Sequence, residues 1–422
     1  MRPVKALAML IAAAIVGLSS AASAESSASP ARTFSASGLE RVGDDIRNEV
    51  ATGKIPGAII LIQQHGQPVY FEKFGVRDVA TGSPMTADTI FRLYSMSKPI
   101  TSVAAMMLVE DGKLRLDDSV AKYIPAFADV KVGIEPPDHG NEAALRLEPL
   151  ARPITILDLL RHTSGLTYGI YGDNVVRKLY AKTDLFNGDL NNADFAARIA
   201  SLPLAEQPGT LWDYSHSTDV LGRVIEVVSG QTLYQFEKQR LLDPLGMTDT
   251  AFYVADPANY PRIAEPLPGD RSITPIAGIR DPRLPRRWES GGAGMVGTIG
   301  DYARFCQMLL NGGTLDGRRY LKPETIALMA SDHIGPQSGI ARDYYYFPGP
   351  NSGFGLGFAV RTSVPPNTEW PLGEYRWDGV AGTFFFIDPV DDMFVVFMAQ
   401  TPSQRGRIQD DLRTLIYRAM GR

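Results

Sequence analysis

Strand-like sequence lies at both ends of this chain and helix-like sequence fills its middle, which restricts the folds open to it. Ala58–Gln63 and Val69–Phe74 read as two strands around a His65-Gly66 turn. Far downstream, Phe354–Val360, Thr383–Ile387 and Phe394–Gln400 read as strands again. Between them the apolar period is helical. Pro99–Glu110 carries Ile100, Val103, Ala104, Met107 and Leu108 and stops at Gly112. Thr155–Arg161 has Thr155 as N-cap with Asp158 three residues on. Ser217–Val228 and Asp301–Leu310 follow, the latter closed by Asn311-Gly312. Helices over 37–52 and Arg407–Met420 bracket the whole. The pattern predicts an α+β fold: an antiparallel sheet built from both termini and flanked by helices, plus an inserted all-helical lobe. The Pro-rich stretches 131–153 and 256–288 read as long surface loops.

A length of 422 residues gives a prior of two or three domains. Hydrophobic content of 44% with 21% charge excludes a disordered chain. A net charge of −5 leaves no electrostatic footprint for nucleic acid. The single Cys306 excludes an internal disulfide and Cys-rich zinc sites. The first residues read as an export signal: Arg2 and Lys5, an apolar run over Ala6–Leu18, and a small-residue exit at Ala22-Ser23-Ala24. Residues 1–24 are expected to be removed before Glu25, which takes the net charge to −7 and leaves no transmembrane anchor. Residues 25–36 read as a flexible leader and 37–422 as the folded domain. The expected location is periplasmic or secreted.

No Gly-x-Ser-x-Gly elbow occurs, which argues against an ordinary α/β-hydrolase. The five histidines offer no pair at metal-helix spacing, so neither metal nor cofactor is expected. Ser95-Met96-Ser97-Lys98 stands at the mouth of the Pro99 helix. Residues three apart on a helix are neighbours. A serine hydroxyl needs an adjacent base, and a lysine can serve where burial lowers its pKa. The helix N-terminus supplies N–H groups suited to an oxyanion. The motif is short, and Ser119-Val120-Ala121-Lys122 repeats it in a polar stretch. Ser95 has the better context, following the apolar-rich Ile90-Phe91-Arg92-Leu93-Tyr94. Tyr214-Ser215-His216 precedes the Ser217 helix, and a Tyr hydroxyl beside a Lys can shuttle protons. Trp377-Asp378-Gly379-Val380 enters a C-terminal strand, where Gly permits close backbone approach by a ligand.

Taken in order, these three elements resemble the serine β-lactamase and DD-peptidase superfamily, in its class C branch, and most nearly the family VIII carboxylesterases. Ile156 to Leu166, Pro208-Gly209-Thr210, Pro244-Leu245-Gly246-Met247 and Gly291-Gly292-Ala293-Gly294-Met295 carry the same resemblance. It implies one α/β lobe and one helical lobe with the site between them. It also implies acylation of Ser95, proton transfer by Lys98 and Tyr214, and an oxyanion hole of the Ser95 and Val380 N–H groups. Trp377, Gly379, His216 and Asp378 would border the substrate.

Two departures separate the branches. β-Lactamases place Lys where this chain has Trp377, and Asp378 follows as an anion, which disfavours a substrate carboxylate. Asp378 is expected to pair with Arg376 or Arg92, or to face solvent. His216 stands where the family has Asn and reads as structural first, with tuning of Tyr214 or Lys98 as the alternative. His162-Thr163-Ser164-Gly165 reads as a helix-capping turn, Cys306 as a buried small residue, and the aromatic run Tyr344–Phe347 as an acyl pocket or as packing. The expectation is an exported serine hydrolase acting on small carboxylic esters. The alternatives are a β-lactamase or D-alanyl-D-alanine carboxypeptidase, an acyltransferase, and a non-catalytic cell-wall or ligand-binding relative.

Overall fold

The computed structural model describes residues 32–134, 142, 145–183, 185–186, 190–270, 281–342, 349 and 351–421. The expected signal segment, most of the leader and the aromatic run Tyr344–Phe347 lie outside the described residues. Residues Thr33–Arg422 form one compact unit.

Its centre is an eight-stranded sheet. From the N-terminal end come β1 (Gly57–Gln64), β2 (Gln67–Asp78) and β3 (Ser83–Pro84). From the C-terminal end come β4 (Ser352–Phe354), β5 (Ala359–Arg361), β6 (Tyr375–Asp378), β7 (Phe384–Asp388) and β8 (Met393–Ala399). The order is β4-β5-β6-β7-β8-β1-β2-β3. β8 and β1 pair antiparallel, with Ala58 opposite Ala399 and Leu61 opposite Val396, so the two chain ends are sewn together at mid-sheet.

Both central strands are buried on both faces, which is why they read as continuous apolar runs. Alternation still sorts their side chains. Ile59, Leu61, Phe394, Val396 and Met398 join the large core shared with the inserted lobe. Ala58, Ile60, Ile62, Val395 and Phe397 pack beneath helices α1 (Ala36–Ala51) and α5 (Arg405–Ala419). The other long helices are α2 (Ser97–Glu110), α3 (Ser217–Ser229) and α4 (Ile299–Leu310). Every α2 residue from Ser97 to Leu108 is buried, so α2 runs through the core.

The α+β architecture agrees with the sequence expectation, with three corrections. Phe354–Val360 is not one strand: β4 ends at Phe354 and β5 starts at Ala359. Gly357 turns between them at φ +103°, and a Cβ there would meet Ser102 Oγ at 2.4 Å. The expected loop at 131–153 contains a hairpin, Lys131–Ile134 against Arg146–Pro149, and the expected loop at 256–288 contains a 3₁₀ helix, Pro257–Arg262. Two further short ladders, Leu211–Trp212 with Ala341–Arg342 and Thr314–Leu315 with Arg318–Arg319, lie among the helices.

Candidate active site

Ser95 sits on a 3₁₀ turn, Tyr94–Met96, that leads directly into α2. The chain reaches it from the short strand Phe91–Arg92. Tyr94 takes the left-handed conformation at φ +46°, which sharpens the corner. Three hydrogen bonds fix the corner from outside: Leu93 N to Met295 O, Met295 N to Ser97 Oγ and Tyr302 Oη to Met96 O. Between Thr89 and Leu108, Ser95 alone is half-buried and every other residue is buried. The fold thus hides the helix and leaves its serine at a surface.

Lys98, one turn along, is completely buried. Its Nζ lies 3.3 Å from Ser95 Oγ, 3.3 Å from the Tyr168 hydroxyl and 2.7 Å from the Gly292 carbonyl. It also stands over the Tyr214 ring, 4.5 Å from the centroid. Burial lowers its pKa from 10.5 to about 7, against the opposing pull of Asp219 and Asp378. The Ser119-Lys122 copy does something else: Ser119 caps a 3₁₀ turn and Lys122 pairs with Asp118 at 2.8 Å.

Tyr214 arrives from the loop between Leu211–Trp212 and α3. Its ring is caged by Trp212, His162, Tyr168 and Trp377, with centroids 5.0 to 6.2 Å away. Trp377 Nε1 donates to the Tyr214 hydroxyl at 3.3 Å. The capping turn reading of His162 holds, and the turn has a second use. His162 Nδ1 contacts Ser215 Oγ at 3.2 Å, Asp213 N donates to His162 O, and Ser164 Oγ meets Ser217 Oγ at 2.8 Å. This turn braces the segment that presents Tyr214.

His216 is buried, and its Nδ1 donates to Asp219 at 2.9 Å. Burial lowers the His216 pKa against that hydrogen bond, so the ring is neutral at pH 7. Asp219 also accepts from Ser290 Oγ and from the Gly292 N–H. Because the Gly292 carbonyl receives Lys98, the chain His216–Asp219–Gly292 sets the amine from behind.

The third segment brings Trp377 and Gly379 against the Ser95 turn. A Cβ on Gly379 would lie 2.3 Å from the Leu93 carbonyl. The backbone that presses closest on Gly379 here is the protein's own, at Leu93. Neither the Ser95 nor the Val380 backbone N–H donates to an acceptor among the described residues. Asp378 is paired, but with neither expected partner. Its carboxylate lies 2.5 Å from Arg405 Nε and accepts from Gln409 at 2.9 Å, both on α5. Arg92 and Arg376 are held instead by Glu265 and Glu374.

Comparison with known proteins accords with this geometry. A family model described as Beta-lactamase matches residues 42–418. The chain belongs to the beta-lactamase family. It is 31% identical to esterase EstB of Burkholderia gladioli over 387 residues, covering 86% of this chain and 91% of that one. It is 34% identical to a lovastatin esterase of Penicillium rubens over 299 residues, covering 68% and 72%. Among solved structures it resembles EstCE1, a hydrolase with promiscuous acyltransferase activity, with a TM-score of 0.74, 28% identity and coverage of 90% and 99%. The protein is therefore a serine hydrolase of the β-lactamase superfamily, of the carboxylesterase-like kind.

Sequence reasoning missed Tyr168, Asp219 and Arg405. Tyr168 lies two residues past Leu166, where the quoted motif ends, and no periodicity marks it. Asp219 is visible only as the first-turn acid of α3.

Proposed function

We propose that the protein is an exported esterase that cleaves small neutral carboxylic esters through a Ser95 acyl-enzyme. The observation that carries this reading is Lys98: a fully buried amine, with its pKa brought to about 7, 3.3 Å from the hydroxyl oxygen of the half-buried Ser95. A neutral amine has two N–H bonds and one lone pair. The Gly292 carbonyl and the Tyr168 hydroxyl take the N–H bonds, and the lone pair accepts the Ser95 proton. Ser95 Oγ then adds to the ester carbonyl carbon. The oxyanion is met by the N–H groups of Ser95 and Val380, neither of which has another described acceptor. The proton passes through Tyr214 to the departing alkoxide, and water repeats the sequence to release the acid.

Acyl transfer is the second reading. The same acyl-enzyme can be attacked by an alcohol in place of water, and the neighbour EstCE1 is described as doing both kinds of chemistry.

The test is turnover of 4-nitrophenyl butyrate beside Ser95→Ala. Wild type is expected to turn over the ester and to gain one adduct mass with a fluorophosphonate probe. Ser95→Ala is expected to do neither while keeping its thermal transition. Full activity in Ser95→Ala would sink the reading.

A further inference from the structure

The pairing of Asp378 with Arg405 carries an inference about which esters the site accepts, and it rests on the esterase reading above. Asp378 closes β6 one residue after Trp377, and Arg405 opens α5. The ion pair is 13% and 22% exposed at its two side chains, so it is screened less than a surface pair. Both residues line a cavity of about 510 Å³, together with Gln409, Ser352 and Trp370. The other charged groups on that cavity are Asp410, Arg361, Arg376 and Arg413. The last three gather on the buried Glu374, and Arg405 pairs with Asp378. The pair also adjoins the cleft. Trp377 lines the same cavity as the pair, and its Nε1 donates to the Tyr214 hydroxyl at 3.3 Å.

A guanidinium in this place is suited to receive a carboxylate on the substrate. We propose that Asp378 is a specificity-determining residue: by occupying Arg405 at the edge of the cleft, it keeps that cation from an anionic substrate and sets the preference for neutral esters. Asp378 does not touch the reacting atoms. It acts through the charge it cancels.

The test compares two esters of similar length and the same leaving group, 4-nitrophenyl hexanoate and the mono-4-nitrophenyl ester of adipic acid. The readout is the ratio of their kcat/KM values, anionic over neutral, at low salt. Asp378→Asn is expected to raise the ratio at least tenfold by releasing Arg405. Arg405→Gln is expected to lower it at least threefold by leaving Asp378 bare. The double variant is expected to lose the gain, and 0.5 M salt to shrink it. A ratio within twofold of wild type in Asp378→Asn, or a gain that survives in the double variant, overturns the proposal. Should Asp378→Asn not fold, an unmoved ratio in Arg405→Gln overturns it alone. The esterase reading fails differently: wild type would then turn over neither ester and take no fluorophosphonate label.

Discussion

At the scale of single residues, the site depends on putting an amine where water cannot reach it. Lys98 has no exposed surface, and the opposing pull of Asp219 and Asp378 does not restore an ordinary pKa. The sign follows from the protonation state. Below about pH 7 the amine carries its proton and cannot accept one from Ser95; above it the lone pair is free. We expect kcat/KM to rise with pH along a limb centred near 7. Lys98→Arg is expected to remove that limb and cost roughly 10²- to 10⁴-fold, since arginine stays protonated. A pH–rate profile of both proteins checks this. Folding is linked in the same direction. The unfolded lysine keeps its proton up to about 10.5, so the cost of burying the charge is full below pH 7 and is relieved as pH rises toward 10.5. Ser95 and Lys98 were legible in the sequence because three residues on a helix make neighbours whatever the fold. The Gly292 carbonyl and the Tyr168 hydroxyl were not, because they reach Lys98 from segments about 70 and 194 positions away. Asp378 showed its charge but not its partner for the same reason.

At the scale of elements, α5 matters beyond covering the sheet. Its Arg413 and Tyr417 bond the two oxygens of the buried Glu374 carboxylate, each at 2.6 Å, and Arg361 of β5 shares the Tyr417 oxygen. Burial alone would raise the Glu374 pKa; the arginines overcome it and bring the group down to about 2. Glu374→Gln leaves three guanidiniums facing one another and is expected to cost about 3–5 kcal/mol in a urea titration. The wild-type contribution is complete above the ordinary carboxylate pKa near 4.5 and is lost as pH falls from there through about 2. Glu374→Gln should therefore flatten the acid limb of stability. Elements with a regular period were readable: α1, α3, α4 and α5 lie within two residues of their expected ends. The division of Phe354–Val360 was hidden because its apolar run is continuous. Its break falls at Gly357, which turns at φ +103° where Ser102, some 250 positions away, leaves no room for a Cβ. The antiparallel pairing of Lys131–Ile134 with Arg146–Pro149 was hidden because each strand is only four residues long.

At the scale of the molecule, one cleft gathers residues from positions 95, 168, 214, 292 and 377, so neither the sheet nor the inserted lobe could be active alone. The sheet itself is divided between the ends of the chain. β1 finds β8 across about 330 to 340 positions, and the Ser35 N–H donates to the Ala419 carbonyl at 2.9 Å. A ribosome delivers β1 early and β8 almost last, so the central ladder closes only when synthesis is nearly finished. Circular permutation reverses that order. Joining residue 419 to residue 35 by a short Gly/Ser linker, and opening the chain at the exposed Asp316-Gly317 turn, makes β8 and β1 near neighbours in sequence. Lower contact order speeds folding. The permutant is expected to refold severalfold faster in stopped-flow dilution with a similar urea midpoint, and an unchanged rate would place the slow step in the inserted lobe.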